Sequence, residues 1–235
     1  MAQVDLENVS RTYTDHVDVH ALRDITLSLA AGSFVAVAGP SGSGKTTLLN
    51  VIGGLDQPDQ GAVRIAGLDL TSTPPDQLAD FRLRHIGFVF QAYNLFPVLT
   101  AMENLEFIPA LQGMPKAERL RRAEELLQMV GLAEIGDKRP NEMSGGQQQR
   151  VAVLRAIMTE PEIVLADEPT ANLDSTSASI LLDMMAELNL QKGITFLFST
   201  HDPLVMERAR RLIRLKDGAV ASDENRDGES AKAMP

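Results

Sequence analysis

Cysteine is absent from all 235 residues, which excludes disulfides, a thiolate nucleophile and cysteine-ligated metals, and fits a reducing compartment. Long apolar runs are absent too. No window approaches the roughly 18 consecutive apolar residues that crossing a bilayer requires. The opening residues, MAQVDLENVS, lack a basic stretch followed by an apolar one, so a chain that stays in the cytosol is expected. Basic residues are in the minority, 22 Lys and Arg against 32 Asp and Glu, for a net charge of −10. An acidic surface repels a phosphodiester backbone, so nucleic acid is not expected as the main partner. With 44% hydrophobic residues, the chain is suited to one large domain or one domain carrying an inserted subdomain.

The stretches VDLENVSRTY and ALRDITLSLA alternate apolar and polar residues as half-exposed strands do, with TDHVDVH between them as a loop. FVAVA (34–38) is a continuous apolar run that enters a glycine-rich loop, and KTTLLNVIGGL continues from it with helical spacing. GAVRIAGLDL resembles a hairpin, and IGFVF (86–90) is another buried strand, ending at Gln91. From 92 to 160 the spacing is helical, with Leu120, Leu126, Leu127 and Val130 on one side of PKAERLRRAEELLQMVGL. IVLAD (163–167), a helix over Ser175–Gln191, TFLFS (195–199) and the closing strands of RLIRLKDGAV resume a parallel core. The expected organisation is one domain over 1–222, with a core and antiparallel β subdomain from 1–91 and 161–222 and a helical subdomain from 92–160. The polar stretch from 223 to 235 is expected to be a disordered acidic tail.

GPSGSGKT (39–46) matches the phosphate-loop pattern G-x-x-x-x-G-K-[ST] between a buried strand and a helix, where an ordinary Gly/Ser turn is the plain alternative. Gly39, Gly42 and Gly44 let backbone N–H groups wrap a phosphate at the positive end of a helix, and Pro40, Ser41, Ser43 and Thr47 complete the expected nucleotide-binding set. Lys45 adds a charge, and Thr46 adds a Mg²⁺ ligand. Asp167 and Glu168 end an apolar strand, where adjacent carboxylates are either simply solvated or used by a cation and a reaction. Beside a phosphate loop, the aspartate suits Mg²⁺ through water and the glutamate suits polarising an attacking water. Gln91 ends the strand IGFVF and His201 follows FLFST, so both are expected on that same edge, Gln91 as a Mg²⁺ or water ligand and His201 as a γ-phosphate donor. His16, His20 and His85 have no such placement. Tyr13 is either an adenine-stacking ring or a loop residue.

MSGGQQQR (143–150) is a second glycine loop at a helix start, followed closely by LADEPT and NLD. Together with the phosphate loop, the glutamine at 91 and the histidine at 201, it resembles the nucleotide-binding subunit of ATP-binding cassette (ABC) transporters over nearly the whole chain. The implied fold is α/β, a P-loop NTPase with a mainly parallel core sheet flanked by helices, an antiparallel β subdomain and an inserted helical subdomain. Met143, Ala171 and Thr46 depart from the commoner leucine, glycine and serine without removing a reacting group. The resemblance implies ATP and Mg²⁺ as ligands and a head-to-tail homodimer. Each ATP then lies between one copy's phosphate loop and Ser144, Gly145, Gly146 and Gln147 of the other, with Asp174 of NLD in the same set. Arg150 and Arg155 on the following helix are expected to make ion pairs within the helical insert.

GGLDQPDQG, FVFQAYNLFPVLTAMEN and LADEPTANLD are more narrowly similar to the cassettes that serve lipoprotein release, macrolide and peptide export, and cell-division signalling. This implies a peripheral position on the cytoplasmic face of the inner membrane and a transmembrane permease that docks near Gln91–Glu106. Tyr93, Leu95, Phe96 and Leu99 are either its apolar contacts or packing of the insert. A cassette that signals without transport fits the same residues. A soluble ABC ATPase fits them less well, because no long coiled-coil insertion is present.

Overall fold

Strands whose residues are apolar on both faces need cover on both faces, and this requirement organises the molecule. A computed structural model describes residues 2–14 and 18–226. In chain order, β1 (Ala2–Thr14) and β2 (Asp18–Ala30) pair antiparallel, and β3 (Phe34–Ala38) leads through the phosphate loop into α1 (Lys45–Ile52). Next come β4 (Gln60–Ile65), β5 (Leu68–Asp69), α2 (Pro75–His85) and β6 (Ile86–Val89). The helices α3 (Ala101–Leu111), α4 (Lys116–Met129) and α5 (Gly145–Ile157) follow. The chain then returns through β7 (Ile163–Asp167), α6 (Ser175–Lys192), β8 (Thr195–Thr200), α7 (Pro203–Arg208), β9 (Arg211–Lys216) and β10 (Ala219–Asn225).

Among the described residues there are two sheets, ordered β2-β1-β4-β5 and β10-β9-β3-β8-β7-β6. The first is antiparallel. In the second, β9, β3, β8, β7 and β6 run parallel and only β10 is antiparallel. Alternation along the central strands divides the interior. Phe34, Ala36 and Ala38 of β3, with Phe196 and Phe198 of β8, pack toward α3–α6. Val35, Val37 and Leu197 pack toward α1 and the antiparallel sheet. Full burial of each large apolar side chain contributes about 1.5–3 kcal/mol, so the central strands anchor both layers. The carboxyl ends of β3, β6, β7 and β8 therefore share one rigid edge.

Three expectations change. Thr14–His20 is not all loop, because β2 starts at Asp18 and Thr14, Tyr13 and Thr12 pair with Asp18, Val19 and His20. The helix α2 was not foreseen, since it buries only Leu78 and Phe81. The stretch 223–225 is strand rather than disordered tail. Asp223 pairs with Ile213, Glu224 with Leu212 and Asn225 with Arg211. The Arg211 guanidinium holds Asp223 through two bonds of 2.8 and 2.7 Å, so the acidic side chains have partners on the sheet edge. The remainder of the expected tail, 227–235, lies outside the described residues, as does His16. Among the described residues no helix is long and apolar enough to cross a membrane.

Candidate functional site

A cleft of about 690 Å³ opens at the carboxyl edge of the parallel sheet. It is lined by Pro40, Ser41, Gly42, Gly44, Lys45, Thr46 and Thr47, by Tyr13, Val19 and Ala21 of the antiparallel sheet, and by Gln91, Glu168, Ala171 and His201. The phosphate loop is shaped for an anion. Gly42 has φ +78°, and a Cβ added there would meet nothing within 4 Å. Gly44 has φ +102° and lies against Ala21, whose carbonyl oxygen would be 2.3 Å from a Cβ. As N-cap of α1, Gly44 offers no side-chain cap, so the first amides of that helix stay available to an anion at the positive end of the dipole. Lys45 is buried and donates from Nζ to the carbonyls of Gly39 (2.8 Å) and Pro40 (3.0 Å), which holds the ammonium under the loop. Gly39 and Ser43 serve the loop from behind. The Ser43 hydroxyl is buried rather than directed into the cleft.

Thr46 Oγ1 lies 3.3 Å from both carboxylate oxygens of Asp167. With Gln91 on the same cleft, this is an oxygen-only donor group of the kind that suits Mg²⁺ and its waters. Glu168 follows with φ +46°, a left-handed conformation that costs a non-glycine residue about 1–2 kcal/mol. Its N–H donates to Ser199 O at 2.9 Å, so β8 holds the turn in place, as strained residues at functional sites are commonly held. His201 Nδ1 lies 2.8 Å from Glu168 Oε1, and the His201 N–H donates to Glu168 Oε2 at 3.4 Å. The glutamate is thereby oriented with its carboxylate in the cleft.

Not every expected residue arrives there. Tyr13 lines the cleft, but its hydroxyl donates to Asp56 (2.7 Å) and the Arg11 guanidinium lies 4.9 Å from the ring centre. Ser144, Gly145, Gly146 and Gln147 are absent from the lining. Ser144 caps α5, accepting from Gln147 N at 3.3 Å while its own N–H donates to Gln147 Oε1 at 2.9 Å. Asp174 likewise caps α6, accepting from the N–H of Ser177 (2.9 Å) and its hydroxyl (2.7 Å), and these bonds hold its carboxyl below the ordinary carboxylate range. An added Cβ at Gly145 or Gly146 would meet Tyr93 Oη at 2.9 Å or Ser177 Oγ at 3.1 Å. The second glycine loop thus sits beside α6, away from the chain's own phosphate loop.

Among the described residues, Arg150 and Arg155 do not form the expected ion pairs. Arg155 donates to the carbonyls of Asn94 (2.5 Å) and Tyr93 (3.1 Å), and burial lowers its basicity. Arg150 donates to Val130 O at 3.4 Å and feels Glu134 only through space. Three residues near the Gln91 loop have no role assigned from sequence, although Gln149 and Asn172 lie within MSGGQQQR and NLD. Asn104 is buried and binds Phe96, Leu99 and Thr100. Gln149 is buried and donates to Pro169 O (2.8 Å) and Phe90 O (3.4 Å). Asn172 donates to Gln91 O at 2.9 Å. A polar residue within an otherwise apolar helix face was the available signal for Gln149.

The family model described as "ABC transporter" matches residues 22–171. The chain belongs to the ABC transporter family. It is 47% identical over 211 residues to "Macrolide export ATP-binding/permease protein MacB" of Rhodopirellula baltica, covering 89% of this chain and 31% of that protein. With the MacB of Bradyrhizobium diazoefficiens the identity is 46% over 229 residues, covering 97% and 35%. The cassette thus spans about a third of the length of these relatives. Among solved structures, a dimeric post-hydrolysis state of the ATP-binding cassette MJ0796 bound to ADP and Pi matches with TM-score 0.87 and 42% identity, over 96% of this chain and 99% of that one. CbiO1 from Clostridium perfringens, part of the ABC transporter complex CbiONQ, matches with TM-score 0.88 at 27% identity, over 98% and 91%. The cassette fold read from the sequence, with its mixed sheets and helical insert, is therefore the fold of the chain.

Proposed function

We propose that this cassette binds and hydrolyses ATP as a head-to-tail homodimer, powering an export or lipid-extraction complex on the cytoplasmic face of a membrane. One observation carries the reading. The phosphate loop, Gln91, Glu168 and His201 share one cleft, whereas the glycine loop at 144–147 lies outside it on the N-terminus of α5. A second anion site set apart from the first on the same chain is useful when it grips the ATP held by another copy. The MJ0796 dimer, of nearly the same length, supports that arrangement.

In this account the amides of Ser41–Thr47 and Lys45 hold the phosphates. Thr46, Asp167 and Gln91 would hold Mg²⁺, which when bound would supply positive charge beside the phosphates. Glu168 accepts the proton of the attacking water, and His201 orients Glu168 through the 2.8 Å contact before donating toward the γ-phosphate. The partner copy's 144–147 loop completes the site. The two His201 contacts, at 2.8 and 3.4 Å, hold the Glu168 carboxylate in the cleft.

A permease is proposed to dock where β6, α3 and α5 leave a hollow of about 410 Å³, with Phe88, Phe90, Phe96 and Ile108 in its walls. Val98 (73% exposed) and Leu111 (61%) are large apolar side chains left in solvent near it in the chain. Of the four contacts expected from sequence, Phe96 lines the hollow. Leu95 packs on the core, Tyr93 reaches toward Asn172 and Gly145, and Leu99 is outside the hollow. The macrolide-export names of the relatives favour export.

Light scattering of the Glu168→Gln chain with ATP and Mg²⁺ tests the proposal. A doubling of mass is expected with ATP and none with Lys45→Ala added, while an ATP-independent mass would overturn the nucleotide-gated dimer.

A further inference from the structure

The loop after β6 has an unusual property. Four backbone carbonyls of residues 90–94, Gln91's own among them, accept from side chains elsewhere in the chain. Phe90 O accepts from Gln149, Gln91 O from Asn172 at 2.9 Å, and Tyr93 O and Asn94 O from Arg155 at 3.1 and 2.5 Å. Tyr93 and Asn94 are both left-handed, with φ +56° and +51°, a conformation that persists only when its surroundings hold it. The donors come from two places. Gln149 and Arg155 stand on α5, the helix that begins with the second glycine loop, and Asn172 stands in the turn between Glu168 and α6.

We infer that Asn172, with Arg155 as second anchor, is a positioning residue that places Gln91 in the cleft. The amide of Asn172 grips the carbonyl of the very residue whose side chain faces the cleft, so displacement of the 171–174 turn is transmitted to Gln91 through one hydrogen bond. Arg155 fixes the far side of the loop to α5. Gln91 is therefore held between the turn that carries Glu168's neighbours and the helix that carries the second glycine loop, and its side chain enters the cleft only when both are in place. The inference rests on the reading of Gln91 as a Mg²⁺ or water ligand.

Asn172 is exposed and outside the core, so Asn172→Ala and the isosteric Asn172→Asp, which lacks the donor N–H, leave the core packing untouched. Two measurements on the 235-residue chain test the inference. The first is amide hydrogen exchange across 90–94, expected to accelerate in both Asn172 variants and in Arg155→Lys, which keeps the charge but cannot span two carbonyls. The second is ATP turnover against Mg²⁺ concentration. Loss of an outer-shell partner raises the half-saturating Mg²⁺ by about 10-fold or more, with Mg²⁺-free ATP affinity unchanged. Asn172→Ala should add nothing on top of Gln91→Ala, since the side chain it positions is gone. Unchanged exchange, or a Mg²⁺ requirement on which the two substitutions multiply, overturns the inference. Faster exchange with the Mg²⁺ requirement unmoved even in Gln91→Ala overturns it as well, and only that result also removes the ligand role of Gln91.

Discussion

Adding one methyl at Gly42 or at Gly44 separates anion binding from folding. Both residues have positive φ, so alanine at either costs about 1–2 kcal/mol of backbone strain. At Gly42 that is the whole cost, because nothing lies within 4 Å of the new Cβ. At Gly44 the Cβ would come 2.3 Å from Ala21 O and 3.2 Å from Leu22 Cδ2. Backbone in contact cannot rotate away, so overpacking of about 1–3 kcal/mol joins the strain, for roughly 2–5 kcal/mol in all. With about 2–4 °C per kcal/mol for a chain of this size, Gly42→Ala should melt about 2–8 °C low and Gly44→Ala about 4–20 °C low. Binding should follow its own rule. The Gly42 methyl enters the open cradle and displaces a charge-assisted hydrogen bond of about 1.5–3 kcal/mol, weakening ATP about 10- to 100-fold. Thermal denaturation together with equilibrium binding of a fluorescent ATP analogue reads both quantities. Parent-like ATP affinity in Gly42→Ala, or a Gly44→Ala chain that melts with the parent, would refute the reasoning.

Other consequences of the site are open to direct assay. Glu168→Gln should lower turnover by about 100-fold or more while ATP still binds, because the amide cannot accept the proton; near-parental turnover with the proposed membrane partner present removes the role. Lys45→Ala should weaken nucleotide binding itself, since it deletes a charge contact to phosphate, and an unchanged dissociation constant counts against the phosphate loop. The Asp174 carboxyl titrates below its unfolded value because of the Ser177 bonds. Its contribution to stability is therefore complete above about pH 4 and lost as pH falls through the lowered native value. Carbon-detected NMR titration of Asp174 should show the depressed midpoint, and Asp174→Asn should remove that part of the acid dependence.

Much of this geometry was readable from residue order. FVAVA and IVLAD announce doubly buried strands because their apolar runs have no polar face to expose, and the residues that follow each run must lie at one sheet edge. That is why Lys45, Thr46, Asp167 and Glu168 could be named together. The strand at 223–225 was hidden because its acids look like a solvated tail, while Arg211 supplies a partner only once the sheet is formed. Charge pairing was also the wrong expectation for Arg155, whose partners are backbone carbonyls that no side-chain pattern reports. Asp174 reads as a ligand residue from NLD, yet a carboxylate three residues before Ser177 is equally a helix cap, and in the chain alone it is the cap. Helix α2 has too small a buried face to produce a periodic signal.

The central claim is that the two glycine loops serve two different ATP molecules, and a mixed dimer tests it most directly. One copy carries Lys45→Ala, the other Gly145→Asp, and both carry Glu168→Gln to stop hydrolysis. The carboxylate at 145 repels a γ-phosphate, and Tyr93 Oη, 2.9 Å from the new Cβ, is the flexible end of a side chain that can give way. If the loops act across the interface, one site combines the intact phosphate loop of the second copy with the intact 144–147 loop of the first, and the other site holds both defects. Stoichiometric trapping of one ATP per doubly tagged dimer is the predicted result, and trapping no better than in either parent homodimer would contradict the account.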